Sequence, residues 1–309
     1  MTRYIVYTYS TDAEPGSAEP ETKITYDAAG NETSRLYRYS DAASTEAEVR
    51  AILKDAVQGL KSEIYFEVTG ELRSTVAENL GKWVAETSNA YWETTNCRWG
   101  YNLNYDPMTV TMNLTFGLED QVEAYLNGTN AQSYSVSAEA LKYAQDIQTA
   151  ARTATAGVAT GSAVQLVTGI HNYMINQYTY SSSPESADYT FHALLDDGDG
   201  VCQSFATLFR FMCLAADIEC ECVIGYGAGT DGETLPETVT ESNANHMWNR
   251  VKIDDTWYYL DVTFDEGLTA SGNPEAPSTK FMLNSSGSLL TKEEFYALGR
   301  HAAVNETAM

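Results

Sequence analysis

Hydrophobic and polar positions alternate over two consecutive runs in the last quarter of the chain. The alternation predicts two antiparallel strands, residues 246–253 and 256–264, joined by a two-residue turn. In that register His246 and Asp261 are diagonal neighbours on one face, with backbones roughly 7–8 Å apart. The opposite face is mainly apolar. We therefore expect one buried face and one face that holds the imidazole and the carboxylate side by side.

A helical pattern begins at Cys202. Phe205 and Phe209 recur at helical spacing in an apolar stretch that ends at Asp217, and the Asp- and Gly-rich residues 196–200 before it favour a turn. Cys202 is therefore predicted in the first turn of a buried helix. There the free backbone N–H groups and the helix dipole favour a negative thiolate, and an N–H group can bind an oxyanion.

A thiol, an imidazole and a carboxylate are together the parts of an activated cysteine nucleophile. Each part also has a simpler explanation. A cysteine at a helix start is often only a small buried side chain. A histidine and an aspartate on a strand face are often no more than solvated polar residues. The pattern of residues leaves both explanations open.

The rest of the pattern predicts helices and strands in an α+β succession. Thr45 and Glu48 form a capping box at the start of a helix. Further predicted elements are a strand at 63–68, a helix at 71–86, a hairpin of 99–105 with 108–116, and helices that begin at Ser137 and Ser162. Residues 128–131 favour a boundary. We expect a strand-rich segment 1–40, a small α+β accessory domain 41–130, and a third domain, 131–309, with Cys202, His246 and Asp261.

Composition narrows the classes of partner. A net charge of −25 in 309 residues argues against nucleic acid and anionic membranes as partners. No apolar run reaches the length of a membrane-spanning helix, so we expect no membrane insertion. The Tyr-, Thr- and Ser-rich composition is typical of bacterial surface proteins. We expect an extracellular or cell-surface location with the export signal removed, and the cytoplasm stays an alternative. Nothing in the sequence indicates an oligomeric state.

The five cysteines do not form a recognisable framework. The odd number excludes complete disulfide pairing, and no CxxC spacing suggests a zinc site. We expect Cys220 and Cys222 to point to opposite faces of one strand and so not to share a metal. Asp196, Asp197 and Asp199 imitate the start of a calcium loop, but the residues that follow do not fit one. The prediction is no metal and no cofactor.

Five stretches resemble the bacterial transglutaminase-like superfamily, whose members share a papain-like core. They are YTFHAL at 189–194, GVCQSFA at 200–206, HMWN at 246–249, WY at 257–258 and DVTFD at 261–265. The resemblance covers roughly residues 137–301. It implies Cys202 as the nucleophile, His246 as the base and acid, and Asp261 as the residue that orients His246.

The resemblance also suggests residues that border the cleft. We expect Gln203, Trp248, His192 and Tyr189 to line it. His171 lies on a predicted helix and is expected to be hydrogen-bonded or on the surface. His301 follows a closing helix where the family often carries a histidine, and no role follows for it.

The predicted activity is hydrolysis of peptide or carboxamide bonds through a thioester on the cysteine. The family also includes crosslinking enzymes and inactive members. Two alternatives therefore stay open: a transglutaminase that transfers the acyl group to a lysine amine, and a non-catalytic binding module. We favour hydrolysis because no amine site or calcium trigger is evident. The expected partner is a protein or peptide substrate, with cell-wall peptide as one candidate.

Overall fold

The computed structural model describes residues 4–8, 20–27, 29–30, 32–90, 94–127, 136–158, 162–229, 233–267 and 277–304. Contacts between residues divide the chain into two compact units, residues 1–141 and 142–309. The division falls inside a helix, Ala138–Ala154. The boundary predicted at 128–131 lies outside the described residues, and the three-part division of the chain stays a prediction.

The first unit is built on a mixed sheet with helices packed against it. Its strands are β1 (Tyr4–Thr8), β2 (Glu21–Tyr26), β3 (Glu32–Arg38), β4 (Glu63–Val68), β5 (Thr94–Tyr101) and β6 (Met108–Phe116). Its helices are α1 (Glu46–Gln58), α2 (Leu72–Ala90), α3 (Leu118–Leu126) and the start of α4 (Ala138–Ala154). The strand order is β1-β2-β3-β4-β6-β5, and within the described residues of this sheet only the β3–β4 pair is parallel.

Local sequence explains these elements well. The capping box at α1 is present, with the Glu48 N–H donating to Thr45 Oγ1 at 3.3 Å and the Thr45 N–H donating to the Glu48 carboxylate at 3.0 Å. Alternate residues of β4 are buried, which places Ile64 and Phe66 in the core beneath the helices. The predicted strand at 63–68 is confirmed, and β6 matches the predicted strand at 108–116. The bounds predicted for its partner, 99–105, are wrong, because β5 spans Thr94–Tyr101 and residues 102–107 connect the two strands.

The second unit is an antiparallel sheet with helices packed on it. It contains α4, α5 (Ala163–Gln177), β7 (Thr179–Tyr180), a 3-10 turn (Ser186–Tyr189), α6 (Phe191–Asp196), β8 (Asp199–Gly200), α7 (Cys202–Leu214), β9 (Glu219–Gly227), β10 (His246–Ile253), β11 (Thr256–Leu260), α8 (Val262–Glu266), β12 (Leu290–Thr291), α9 (Lys292–Ala297) and β13 (His301–Ala303). The sheet order is β12-β11-β10-β9-β13, and β7 pairs with β8 in parallel. The protein is α+β, as predicted.

The hairpin of β10 and β11 has the predicted register at its turn, where Ile253 pairs with Thr256. The second strand was predicted to continue to residue 264, and that is wrong, because β11 ends at Leu260. Asp261 accepts hydrogen bonds from two following N–H groups and so caps the helix α8. A capping side chain thus ends the strand where the alternation of residues predicted more of it.

Both faces of β10 are buried, whereas the sequence predicted one. Trp248 and Asn249 point to opposite faces, and each is only 1% exposed. The Asn249 amide donates to the Ala206 carbonyl oxygen of α7 at 3.0 Å. On the other face Trp248 packs near Phe295 of α9. The alternation of residues alone could not predict this. It assigns polar residues to a solvent-exposed face, whereas here another element of the fold covers them.

The expectation for Cys220 and Cys222 is also wrong. Residues two apart in a strand share a face. Both sulfur atoms approach the Asn249 amide, at 3.8 and 3.7 Å. All five cysteines are free thiols. Among the described residues, no helix is both long and apolar enough to cross a membrane.

Candidate active site

Cys202 is the first residue of α7 and is half-buried. The chain reaches it through Gly198, whose φ of 84° is in the left-handed region, and then through β8. Ser204 fixes the helix start, because its hydroxyl accepts from the Val201 N–H at 3.3 Å and donates to the Asp188 carbonyl oxygen. Cys202 therefore stands in the first turn, as the sequence predicted, with its thiol at the positive end of the helix dipole.

His246 is the first residue of β10 and is 9% exposed. Space for its ring depends on Gly227 of β9. A Cβ at Gly227 would lie 2.6 Å from His246 Cδ2, closer than real side chains approach. Strand β9 pairs with β10 on one edge and with β13 on the other, where Gly227 lies opposite His301. The missing side chain at Gly227 thus leaves the room that the His246 imidazole occupies.

Asp261 is 1% exposed and accepts four hydrogen bonds. Oδ1 accepts from the backbone N–H groups of Thr263 at 2.9 Å and Phe264 at 3.1 Å. Oδ2 accepts from two imidazoles, His246 Nε2 at 2.7 Å and His301 Nε2 at 2.8 Å. Burial by itself would raise the pKa of Asp261, but the two imidazoles hold that pKa well below its usual range. The carboxylate is therefore charged over the whole physiological range.

The Cys202 thiol lies within hydrogen-bonding reach of the His246 side chain. Because Nε2 is bonded to Asp261, Nδ1 is the ring nitrogen left for the thiol. Burial opposes a charged His246. The Asp261 carboxylate and then the Cys202 sulfur outweigh burial and raise the pKa of His246 to about 10. The arrangement therefore favours an imidazolium between a carboxylate and a sulfur atom.

His301 is the residue for which the sequence suggested no role. It is 2% exposed, and burial holds its pKa below the usual value against the opposing effect of Asp261. A neutral imidazole has one N–H, and the Nδ1 atom has no hydrogen-bond partner among the described residues. The Nε2–H tautomer fits, since it donates its one proton to Asp261. The pairing of β13 with β9 brings this side chain near His246 and Asp261.

The four residues expected to line the cleft lie in different surroundings. Gln203 is half-buried next to Cys202, and Tyr189 is 47% exposed. The Trp248 indole is inside the core, with its ring centroid 6.0 Å from that of His246, so it lies behind the imidazole rather than on an open wall. His192 stacks on Tyr143 at 5.2 Å and faces Asp196 at 3.6 Å.

His171 takes part in a separate buried pair. Its Nε2 lies 3.1 Å from Asp265 Oδ2, and both side chains are fully buried. Asp265 also accepts from the Ser278 hydroxyl at 2.5 Å and from the Phe281 N–H at 3.1 Å. This network ties α5, α8 and the segment after residue 277 together, so it supports the helix that Asp261 caps.

His246, Asp261 and His301 each offer one possible metal ligand, and these atoms lie within 4.8 Å of one another. The Nε2 atoms of both histidines already bond to Asp261 Oδ2. A cation there would have to displace both protons from a network that already satisfies the carboxylate. We therefore keep the expectation of no metal as a prediction.

A concave region of about 480 Å³ lies elsewhere in this unit, and its lining does not include Cys202, His246 or Asp261. Its lining includes Asp146, Tyr173 and Asp197. Its lining residues include no cysteine or histidine. The chemistry favours the half-buried surface around Cys202.

Residues 148–262, which include Cys202, His246 and Asp261, match the model of the transglutaminase-like superfamily. The chain carries a transglutaminase-like domain. Kyphoscoliosis peptidase from Mus musculus and from Homo sapiens is 34% identical over 67 residues. That stretch spans 22% of this chain and 10% of each peptidase.

Two solved structures are similar to the chain at low identity. A TGase crystal structure is 15% identical and covers 85% of this chain and 69% of its own, with a TM-score of 0.34. A candidate cysteine protease from Cytophaga hutchinsonii is 14% identical and covers 54% of this chain and 61% of its own, with a TM-score of 0.31.

Replacing Gly227 with Ala tests the space for the imidazole. The new Cβ would force the His246 ring or the strand to move, because it would lie 2.6 Å from Cδ2. A displacement near 1 Å at a reacting group can lower a rate about 100-fold. We expect the alkylation of Cys202 by iodoacetamide at pH 6 to slow by that order. The matched control is Gly100→Ala, whose Cβ would meet only Thr111 Oγ1 at 3.6 Å. Unchanged alkylation in Gly227→Ala would refute the steric argument.

The lowered pKa of His301 predicts a pH-dependent stability. At a pH between the pKa of His301 in the folded protein and its value of about 6.5 in the unfolded chain, the unfolded chain binds more protons. The free energy of unfolding should therefore fall as pH drops below about 6.5. His246, with its raised pKa, acts in a different window, between pH 6.5 and about 10. His301→Gln keeps a donor but cannot titrate. Urea unfolding at pH 7.5 and 5.5 should therefore show a smaller difference for His301→Gln than for the wild type, and an equal difference would count against a neutral His301.

Proposed function

We propose that the transglutaminase-like domain is a cysteine-dependent acyl hydrolase that acts on peptide or carboxamide bonds. The observation that carries the proposal is the buried His246–Asp261 pair at 2.7 Å, with the Cys202 thiol within reach of the same imidazole. The first-turn position of Cys202 and the raised pKa of His246 support a thiolate–imidazolium pair.

In the first half of the proposed reaction the Cys202 thiolate attacks the carbonyl carbon. A carbon–sulfur bond forms and the carbonyl oxygen becomes an oxyanion, which the Cys202 backbone N–H can stabilise. His246 then gives its proton to the leaving nitrogen. The carbon–nitrogen bond breaks, and an amine or ammonia leaves a thioester on Cys202. Asp261 holds the imidazole in orientation throughout.

In the second half water attacks the thioester. His246 takes the proton from water and the carboxylic acid product leaves, which regenerates the thiolate. A lysine amine in place of water would instead crosslink two proteins. Water needs no binding site, because its concentration is high. The stretch similar to a protein named as a peptidase is consistent with hydrolysis, although it spans a tenth of that protein.

The thiolate–imidazolium pair predicts selective alkylation. Iodoacetamide near pH 6 should label Cys202 well ahead of the other four cysteines. Burial raises the pKa of Cys97 to about 11 and raises that of Cys220 far above its usual value, so these thiols are protonated and slow. His246→Ala should remove the advantage of Cys202. Peptide mapping by mass spectrometry gives the rate at each cysteine, and equal rates in the wild type would support a plain buried thiol.

The products distinguish hydrolysis from amine transfer and from binding alone. Protein and peptide pools, incubated with a fluorescent primary amine, should release amine or ammonia without incorporating the label, and calcium chelation should change nothing. Cys202→Ala should abolish release, and Asp261→Asn should lower it by orders of magnitude because the imidazole loses its orientation. Label incorporation that depends on Cys202 would indicate a transglutaminase. The absence of any product would favour a binding module.

A further inference from the structure

Tyr180 lies at the nucleophile but was not among the residues that the sequence suggested. It is the last residue of β7, whose pairing with β8 places it opposite Gly200, two residues before Cys202. Its phenol oxygen accepts a hydrogen bond from the backbone N–H of Cys202. The first N–H groups of a helix have no partner inside the helix, so this contact occupies the position where an oxyanion would bind.

Tyr180 is held in place from two sides. On one side the Ser181 N–H donates to the Gly200 carbonyl oxygen at 2.8 Å, and the Thr179 N–H donates to the Gly198 carbonyl oxygen at 3.1 Å. On the other side the Tyr180 N–H donates to the carboxylate of Glu266, in the helix that Asp261 caps. The backbone of Tyr180 therefore joins the strand before the nucleophile to the helix after the carboxylate.

We infer that the Tyr180 hydroxyl is the second oxyanion donor, alongside the backbone N–H of Cys202. The inference rests on the proposed function. In the resting protein the phenol oxygen takes the Cys202 N–H. When a carbonyl oxygen enters, it replaces the phenol oxygen on that N–H, and the displaced hydroxyl turns its proton towards the same oxygen. Two donors then meet the developing charge, as the stabilisation of a tetrahedral intermediate requires.

The protonation state of the phenol supports this role. Burial, followed by the nearby Cys202 and Tyr189, raises the pKa of Tyr180 to about 12. The hydroxyl therefore keeps its proton wherever the thiolate–imidazolium pair exists. The opposite possibility is that the hydroxyl only blocks the N–H and must be removed before reaction. The two roles predict opposite signs for the loss of the hydroxyl.

Two chemical probes separate the oxyanion from the nucleophile. p-Nitrophenyl acetate acylates a thiolate through a tetrahedral oxyanion: the carbon–sulfur bond forms, the carbon–oxygen bond to p-nitrophenolate breaks, and water later releases acetate. Iodoacetamide alkylates the same sulfur by displacing iodide, with no oxyanion. Acylation therefore needs the oxyanion donors, whereas alkylation reports only the thiolate.

The experiment compares the full chain with Tyr180→Phe, with Cys202→Ala as the blank. The matched control is Tyr226→Phe on β9, which loses a phenol hydroxyl that donates to the Glu233 carboxylate at 2.9 Å. We expect Tyr180→Phe to acylate about 100-fold more slowly and to alkylate at the wild-type rate, since one lost oxyanion donor costs roughly 10²–10³-fold. Tyr226→Phe should match the wild type with both probes.

The other outcomes would refute either the donor role of Tyr180 or the proposed function. Unchanged or faster acylation in Tyr180→Phe would remove the donor role, and faster acylation would identify a blocking hydroxyl. Parallel losses in acylation and alkylation would mean that Tyr180 acts on the thiolate. Wild-type acylation no faster than that of Cys202→Ala would refute the proposed function itself. If Tyr180→Phe does not fold, fluorotyrosine at position 180 changes only the acidity of the hydroxyl, and a donor role then requires the acylation rate alone to change.

Discussion

A buried carboxylate imposes the main constraint on this unit. Asp261 is 1% exposed, and an isolated charge in such a place would be costly. Its four hydrogen bonds come from the first turn of α8, from β10 and from β13. Breaking a buried charge pair typically costs about 3–5 kcal/mol. The positions of these three elements therefore depend on the same charge, and so does the orientation of His246.

The remaining freedom of His246 is restricted by packing. Phe264 stacks on the imidazole at 4.5 Å, and the Trp248 ring lies 6.0 Å away. Gly227 leaves just enough room on the side of β9. With Nε2 bonded to Asp261, the ring presents Nδ1 towards Cys202. The Asn249 amide holds α7 against the strand of His246, so the thiol and the imidazole are positioned by one packed interface.

Electrostatics near the nucleophile favour the charged pair although the protein is strongly acidic. The carboxylate of Asp196, which precedes Cys202 in sequence, accepts from the Tyr143 hydroxyl at 2.5 Å and lies 3.8 Å from Lys142. The negative charge of Asp196 is thus partly offset by Lys142 and Tyr143 on α4, which weakens its effect on the Cys202 thiol. Asp261 is the carboxylate that acts at the site, and it acts through His246 by raising the pKa of the imidazole to about 10. The net charge of −25 describes the surface of the whole chain and does not describe this site.

The sequence by itself determined the features that depend on neighbours along the chain. It predicted the helix that begins at Cys202, the turn that pairs Ile253 with Thr256, and the capping box at Thr45, because periodicity and capping are local. Tertiary structure decided the rest. The contact between His301 and Asp261 joins residues 40 positions apart, through a sheet order that no periodicity reveals. Tyr180 reaches Cys202 through a two-residue parallel pairing that is too short to leave a pattern. Alternation of residues also could not show that both faces of β10 are covered, because a buried polar residue looks like an exposed one until its partner from another element is in place.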